Sequence, residues 1–386
     1  MAENSNRFER NPRKTLLAVF AVFLLLSVGL TEYVLEKKLP EPPLQRSLRL
    51  KEHYPNFSST LPGPSAGDIL EEKDYPFRVD NDGYLVPSKV YEEPDLSIVF
   101  LGESSTECRF VEETSRFAYR AGVLLGEHFN KKINSYNAGA GGGNAMHSLN
   151  LLLNKALAVR PQVVVFMHNL NDLNVLLLAG SYWNDHPTKS LIVTDDRREH
   201  KFRRWLATVG ETVFPGLCYK LGIGAAFDAD DEEFSWKPPA RLSAPDFVAA
   251  EFECTVATFV NLCKARAILP VLMTPCTRLD AGGDEITRKN LERLVKPWGL
   301  EAAVYVELFR RCNDVIRKVA AERGALLIDL DALAPKDKTH LYDLVHLNTK
   351  GSELVASLVA EHLARSLAVQ NLLREESHSN GAFTSK

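Results

Sequence analysis

Cysteine is scarce in this chain and follows no metal-binding or redox pattern. The 386 residues include six cysteines, with no CxxC pair and no Cys/His spacing suited to a metal ion. Cys254 and Cys263 fall on one predicted helix, where a rise of about 1.5 Å per residue places their Cα atoms roughly 13 Å apart, too far for a disulfide. We interpret the cysteines as buried free thiols, and one bridged pair in an oxidising compartment is the alternative.

Strong charge and phosphate-binding glycine motifs are also missing. The 46 Lys and Arg residues nearly balance the 50 Asp and Glu residues, which leaves a net charge of −4, and no basic stripe is interleaved with aromatic side chains. We therefore expect no nucleic-acid partner. The chain contains neither GxGxxG nor GxxxxGK[ST], which argues against a dinucleotide enzyme and a P-loop. We expect no metal ion and no organic cofactor.

The N-terminus has the pattern of a membrane anchor. Basic residues in the first 14 positions precede an apolar run over residues 16–30. This pattern predicts a cytoplasmic tail (1–14), a transmembrane signal anchor (15–35) and a main domain outside the cytoplasm. The alternative is a signal peptide cleaved near Gly29, after which the protein is secreted.

Composition divides the rest of the chain into four parts. Residues 36–72 are rich in proline and predict an extended tether. The main domain is predicted over 73–368. Its segment 177–245 departs from the surrounding pattern and is interpreted as an insertion beside the site or a surface subdomain. Residues 369–386 are predicted to be a disordered tail.

Short apolar runs alternate with longer helical patterns in the main domain. Such alternation predicts a three-layer α/β/α fold, in which a central parallel sheet of five strands has helices on both faces. The strands are predicted at 97–101, 133–136, 163–167, 268–273 and 325–330, and the helices at about 114–130, 144–158, 249–266, 300–323 and 351–367.

Two unusual segments follow the first two predicted strands. Ser104 lies between a strand and a helix, a place from which a hydroxyl can project into the crevice at the carboxyl edge of the sheet. A serine attacks well only beside a general base. Residues 137–144 (NAGAGGGN) can bring backbone N–H groups close to a ligand, as an oxyanion hole requires.

Two further segments supply an amide and a base. Asn171 follows the third strand, and its side chain can donate a hydrogen bond to an oxyanion. Asp343 precedes His346 by three residues, close enough to fix the imidazole tautomer and stabilise the imidazolium. Each segment alone is a weak signal, whereas their order along the chain is specific.

Together the four segments resemble the blocks of the SGNH (GDSL-like) hydrolase superfamily, named for a Ser, a Gly, an Asn and a His. The resemblance covers about residues 75–368, and the segments 77–84 and 99–107 resemble membrane-anchored, exported members. It implies Ser104 as nucleophile, His346 as base and Asp343 as its orienting carboxylate. It implies an oxyanion hole formed by the Ser104 N–H, the Gly142 N–H and the Asn171 side chain.

Several positions depart from the family pattern or leave a choice open. Glu103 replaces the usual Asp of the GDS form, and Asn169 replaces a Gly and could narrow the oxyanion pocket. Gly139 and Gly141 compete with Gly142 as the glycine donor. Ser105 is the rival nucleophile.

The predicted function is an esterase that cleaves acyl esters, O-acetyl esters among them, of extracytoplasmic glycans or lipids. An O-acyltransferase acting on exported polysaccharide is a close alternative, because water and an alcohol can both accept the acyl group. A catalytically silent glycan-binding module is a further alternative. The expected partners are a small-molecule or glycan ester and the membrane, and the sequence does not indicate an oligomeric state.

Overall fold

The computed structural model describes residues 11–38, 46–63, 73–184, 190–194 and 242–382. Most of the predicted 177–245 insertion, including its acidic run at 228–233, lies outside the described residues. The chain separates into two compact units. The N-terminal helix belongs to the first unit and the central sheet to the second.

Helix α1 (Pro12–Lys38) is apolar along most of its length. Its stretch Pro12–Thr31 has a mean hydropathy of 2.1 and none of its most apolar window is buried. Twenty residues at about 1.5 Å each span roughly 30 Å, the thickness of a bilayer core. By length and composition this helix can cross a membrane, a property that anchors share with signal sequences.

The second unit is built on a five-stranded parallel sheet, as predicted. The strands of the described residues are β1 (Arg46–Leu48), β2 (Ser58–Pro62), β3 (Asp74–Arg78), β4 (Leu96–Gly102), β5 (Ile133–Asn137), β6 (Val163–Met167), β7 (Ile192–Thr194), β8 (Leu269–Thr274) and β9 (Leu326–Asp329). The sheet has the strand order β5-β4-β6-β8-β9, and every neighbouring pair is parallel. The chain passes from β4 outward to β5 and returns to the other side of β4 for β6, which opens a crevice at the carboxyl ends of these strands.

Helices cover both faces of this sheet, because alternate strand residues face opposite ways and both sets are apolar. Val164 and Phe166 belong to one buried cluster, which includes residues of α4, α5, α6 and α8, while Val163 and Val165 belong to the other, which includes residues of α3, α10 and α11. The helices are α2 (Ser104–Glu107), α3 (Phe117–Phe129), α4 (Ala145–Asn154), α5 (Leu170–Ala179), α6 (Pro245–Ala265), α7 (Glu285–Val295), α8 (Ala302–Arg323), α9 (Leu330–Leu333), α10 (Thr349–Arg365) and α11 (Leu367–Ala382).

The structure differs from the predicted organisation at two places. The tether prediction is wrong for residues 46–63, because β2 pairs antiparallel with β3 and Leu61 packs against the small apolar cluster around Phe77. The prediction of a disordered tail is wrong for residues 369–382, which belong to α11. Val369 and Leu373 of that helix are buried against the main core.

The described cysteines are unpaired thiols, in keeping with the sequence interpretation. Four of them are buried: Cys108, Cys263, Cys276 and Cys312. Cys254 is exposed, which the prediction of buried thiols did not anticipate. Burial raises the pKa of the Cys108 thiol to about 12, so this residue close to Ser104 in sequence is protonated at neutral pH.

Candidate active site

Ser104 is the first residue of α2, directly after the buried strand β4 and the connecting Glu103. The turn is tight, because a Cβ on Gly102 would overlap the Thr106 side chain and lie 2.8 Å from the Met167 carbonyl oxygen. A larger residue at 102 would therefore push β4 and α2 apart. The N–H of Ser104, at the start of the helix, has no intrahelical acceptor and is available to a ligand.

The predicted triad residues form one chain of hydrogen bonds. Ser104 Oγ lies 2.8 Å from His346 Nε2, and His346 Nδ1 lies 2.6 Å from Asp343 Oδ2. A carboxylate only accepts, so the Nδ1 nitrogen carries the imidazole proton and Nε2 accepts the proton of the serine hydroxyl. This is the tautomer that a general base requires.

Asp343 is itself held in place by the backbone that follows it. Its Oδ1 accepts the N–H of Val345 at 2.8 Å and the N–H of His346 at 2.7 Å. Burial alone would raise the pKa of Asp343, but the hydrogen bonds and charge of His346, together with these two N–H groups, lower it below its ordinary value. The carboxylate is therefore ionised at neutral pH and faces the imidazole with a full negative charge.

Glu103 connects the turn that carries Ser104 to the start of α5. Its carboxylate is buried and accepts the N–H of Leu170 at 3.3 Å and the N–H of Asn171 at 3.0 Å. The extra methylene relative to the family's Asp is thus accommodated at a helix N-terminus, where a negative charge is favourable. The Asn171 side chain makes no hydrogen bond to any described residue, so its amide is available as a donor.

Asn169 turns away from this opening. Its Nδ2 donates to the carbonyl oxygen of Phe309 at 3.1 Å and to Asn313 Oδ1 at 2.7 Å, both in α8. The residue that replaces the family's glycine therefore serves the packing of α8 against the end of β6, and its side chain is not directed at the site.

Residues 137–144, the glycine loop, begin at the end of β5 and lie beside the turn that carries Ser104. Asn137 fixes its start, since its Oδ1 accepts the Gly139 N–H at 2.9 Å and its Nδ2 donates to the Thr106 carbonyl at 2.8 Å. Gly142 has a left-handed φ of 73°, which favours glycine. The N–H groups of Gly141 and Gly142 have no acceptor in the described part of the chain, and both remain candidates for the oxyanion donor.

A cleft of about 320 Å³ opens at the hydroxyl of Ser104. It is lined by the serine and the histidine of the predicted triad, one loop glycine and a set of polar, aromatic and apolar side chains: Ser104, Glu107, Cys108, Arg109, Phe110, Gly141, Tyr342, His346 and Leu347. The Tyr342 ring stacks on the His346 imidazole with a centroid distance of 5.5 Å and an interplanar angle of 12°. A serine with an aligned base thus faces a cavity large enough for a small ester.

The family model of the GDSL-like lipases and acylhydrolases matches residues 100–354. The chain belongs to this family. The protein is accordingly an enzyme that acts on ester bonds. No protein with a curated description matches it.

Solved structures similar to this acylhydrolase have low sequence identity. An acetylxylan esterase from Geobacillus stearothermophilus is 15% identical, with a TM-score of 0.39 and coverage of 71% of this chain and 96% of that one. The acetyl xylan esterase AlAXEase is 16% identical, with a TM-score of 0.37 and coverage of 69% and 98%. An alpha/beta hydrolase from the Lake Arreo metagenome is 14% identical, with a TM-score of 0.40 and coverage of 69% and 94%.

The rival nucleophile Ser105 and the buried residue Arg278 both make structural hydrogen bonds. The Ser105 hydroxyl donates to the Val345 carbonyl at 3.3 Å and is buried. Arg278 is also buried, and its guanidinium contacts Asp284 Oδ2 at 3.2 Å and Thr287 Oγ1 at 3.0 Å. Arg109 and Tyr342 also line the cleft, but neither belongs to a sequence motif that would have marked it.

A buried polar cluster lies behind Asn171. His168 Nε2 lies 2.7 Å from Ser148 Oγ and His168 Nδ1 lies 3.5 Å from Asp172 Oδ2. Asp172 Oδ1 accepts the Ala145 N–H at 2.9 Å and the Tyr182 hydroxyl at 2.6 Å. Burial raises the pKa of Asp172 to about 8 and lowers the pKa of His168 to about 3, so both are neutral at pH 7. The cluster ties the start of α4 to the helix that carries Asn171.

This cluster should make the stability of the acylhydrolase fall as pH rises from 6.5 to 8. In that window folded Asp172 keeps a proton that the unfolded carboxyl, with a pKa near 3.8, has lost, so unfolding releases a proton. The Asp172 contribution to the free energy of unfolding should drop by about 2 kcal/mol, at roughly 1.4 kcal/mol per pH unit. Urea unfolding of wild type and Asp172→Asn at both pH values measures the difference, and the variant should lack this loss.

The histidines define the lower limit of the window. Burial lowers the pKa of His168 to about 3 and of His147 to about 4, so below pH 6.5 their unfolded forms take up protons and stability falls toward acid. That effect opposes the Asp172 contribution and fades above pH 6.5, and the difference between wild type and Asp172→Asn cancels what remains of it. Parallel pH profiles for wild type and Asp172→Asn would contradict the assignment.

Proposed function

We propose that the protein is a serine esterase that removes acyl groups, O-acetyl groups among them, from extracytoplasmic glycans or lipids. The observation that carries this proposal is the hydrogen-bonded chain from Ser104 through His346 to Asp343, which opens on a cleft. The proposed oxyanion donors are the Ser104 N–H, the Gly142 or Gly141 N–H and the Asn171 amide.

The reaction would proceed in two acyl-transfer steps. Ser104 Oγ attacks the ester carbonyl carbon while His346 Nε2 takes its proton, and the tetrahedral oxyanion accepts hydrogen bonds from the three donors. The imidazolium then gives its proton to the leaving alcohol as the acyl–serine ester forms. Water, deprotonated by His346, attacks that ester, and the acid leaves with Ser104 restored. Asp343 stabilises the imidazolium in both steps.

The polar and aromatic lining of the cleft supports a sugar as the alcohol. Glu107 offers carboxylate oxygens and Arg109 offers N–H donors, with 3.1 Å between Glu107 Oε1 and Arg109 Nη2. The Phe110 and Tyr342 rings, 6.0 Å apart between centroids, provide faces on which a sugar ring can stack. The modest volume of the cleft favours a short acyl group such as acetyl.

Release of acetate tests this function. Purified residues 37–386 should hydrolyse p-nitrophenyl acetate much faster than p-nitrophenyl decanoate and should release acetate from O-acetylated polysaccharide. Formation of acetylated oligosaccharide when an acceptor sugar is added would favour the acyltransferase instead. A folded wild type that hydrolyses no ester and never reacts with a fluorophosphonate would favour a silent glycan-binding module.

We also propose that α1 remains as an uncleaved anchor, with the esterase outside the cytoplasm. The support is the apolar run over residues 16–30 within the stretch Pro12–Thr31, since this run follows basic residues at positions 7, 10, 13 and 14. The intact mass of the protein isolated from membranes should include residues 1–36. A mature protein that begins near residue 30 would show cleavage and contradict the anchor.

A further inference from the structure

A segment outside the family-matched residues lies on the glycine loop. His53 Nε2 is 2.9 Å from the Gly139 carbonyl oxygen and 3.4 Å from Glu107 Oε1. Lys51 donates its backbone N–H to His147 Nδ1 at 3.1 Å, and a Cβ placed on Gly142 would lie 3.9 Å from Lys51 Cε. Residues 50–53, which we name the strap, therefore contact the loop near both of its ends.

The chemistry of the His53 contact is determined by its partners. A carbonyl oxygen only accepts, so Nε2 carries a proton and donates it to Gly139. Burial lowers the pKa of His53 below its ordinary value against the opposing charge of Glu107, which favours the neutral ring with its single proton on this nitrogen. The ring also packs edge-on against Phe77, with 5.1 Å between centroids. The donor is thus oriented by packing as well as by its acceptors.

The strap holds the glycine loop at Gly139. Its N–H is bound by Asn137 Oδ1, its carbonyl is bound by His53, and a Cβ would lie 2.6 Å from the Glu107 nitrogen. The N–H and the carbonyl of Gly139 are therefore both fixed, and the residue lies directly against α2, the helix that begins with Ser104. Two residues later Gly141 borders the cleft.

We propose that His53 is a positioning residue that holds the glycine loop in the geometry needed for oxyanion binding. The inference rests on the proposed function, because the loop must be aimed only if its N–H groups stabilise an oxyanion. It assigns a role in the site to a segment within the predicted tether, some 47 residues before the family-matched region begins. Without the strap, the loop would keep its Asn137 anchor and lose the anchor on the Gly139 carbonyl.

Substitutions that separate the donor from the packing of the ring test this role. His53→Phe keeps a ring against Phe77 and removes the donor, whereas His53→Gln retains an N–H donor of comparable reach. We expect His53→Phe to lower kcat for p-nitrophenyl acetate by about 10- to 100-fold with KM within about twofold, since small misplacements of catalytic groups have effects of this size. His53→Gln should recover most of the activity. Hydrogen exchange of the amides at 139–143 should accelerate in His53→Phe and stay near wild type in His53→Gln.

The two readouts distinguish failure of this inference from failure of the proposed function. An active wild type with unchanged kcat and unchanged loop exchange in His53→Phe would overturn the positioning role. A wild type that neither hydrolyses esters nor labels would overturn the proposed function, and the exchange rates alone would then decide whether His53 holds the loop. If thermal melting shows that His53→Phe is unfolded, His53→Ala takes its place in the comparison with His53→Gln.

Discussion

Ser104→Ala should lower turnover of p-nitrophenyl acetate by roughly five to six orders of magnitude, a loss typical of removing a triad nucleophile. The variant has no oxygen atom that could form the acyl-enzyme. It also lacks the hydroxyl that lies 2.8 Å from His346 Nε2 in the wild type, so the imidazole has nothing to deprotonate. Folding should be unaffected, because the hydroxyl lies at the open edge of the sheet and its removal leaves no buried group without a partner. Steady-state hydrolysis together with fluorophosphonate labelling measures both consequences.

Ser105→Ala is the matched control for this prediction. The two serines are adjacent in α2, but the Ser105 hydroxyl is buried and donates to the Val345 carbonyl at 3.3 Å. Its loss should cost about 1 kcal/mol of stability through one hydrogen bond and leave labelling intact. Labelling that survives in Ser104→Ala and disappears in Ser105→Ala would reverse the assignment of the nucleophile.

The sheet could be predicted from the sequence because its strands are local signals. Buried parallel strands are continuous apolar runs, and the five predicted runs correspond to β4, β5, β6, β8 and β9. Asp343 and His346 are three residues apart, so their contact follows from spacing alone. The pairing of His346 with Ser104 was predicted from the resemblance to the SGNH family, and the structure places the two side chains 2.8 Å apart.

The contacts that support the site were not accessible, since they join segments far apart in the chain. Glu103 looks like a small departure from a motif, and only the structure shows its carboxylate on the N–H groups at the start of α5. His53 lies in a stretch rich in proline whose composition predicts a tether, and its contact with Gly139 spans 86 positions. The composition of a segment indicates whether that segment can form its own hydrophobic core. It does not indicate whether the segment can pack against the core of a neighbouring domain.

The helix α5 was missed for a related reason. Nearly all of its residues are buried, so the one-sided apolar pattern that identifies a surface helix is absent. Asn171, Asp172 and Asn174 interrupt the apolar sequence, and the last two have polar partners in Tyr182 and Tyr305. Asn169-Leu170-Asn171-Asp172 therefore looks like a turn in the sequence, although it is the start of the helix that presents the candidate oxyanion amide.

Asn171→Ala should reduce kcat by about 100- to 1,000-fold, the usual cost of losing one oxyanion donor. The amide has no hydrogen-bond partner among the described residues, so its removal breaks no interaction in the resting enzyme. Its contribution appears only when negative charge develops on the carbonyl oxygen, which is why KM should change little. The Asn171 backbone N–H, bound to Glu103 Oε2 at 3.0 Å, is unaffected by the substitution.

Asn174→Ala, in the same helix, should lower stability and leave kcat almost unchanged, the opposite of what we expect for Asn171→Ala. Its Oδ1 accepts the buried hydroxyl of Tyr305 at 2.7 Å, so the variant leaves that hydroxyl unpaired and should lose about 1–3 kcal/mol of stability. Its kcat should remain within about threefold of wild type, because it lies one turn beyond the site. Equal kinetic losses in both variants would indicate that α5 matters only as a packed element. If Asn171→Ala is folded and has wild-type kcat, the Asn171 amide does not belong to the oxyanion hole. The oxyanion would then be stabilised by the backbone N–H groups of Ser104 and the glycine loop.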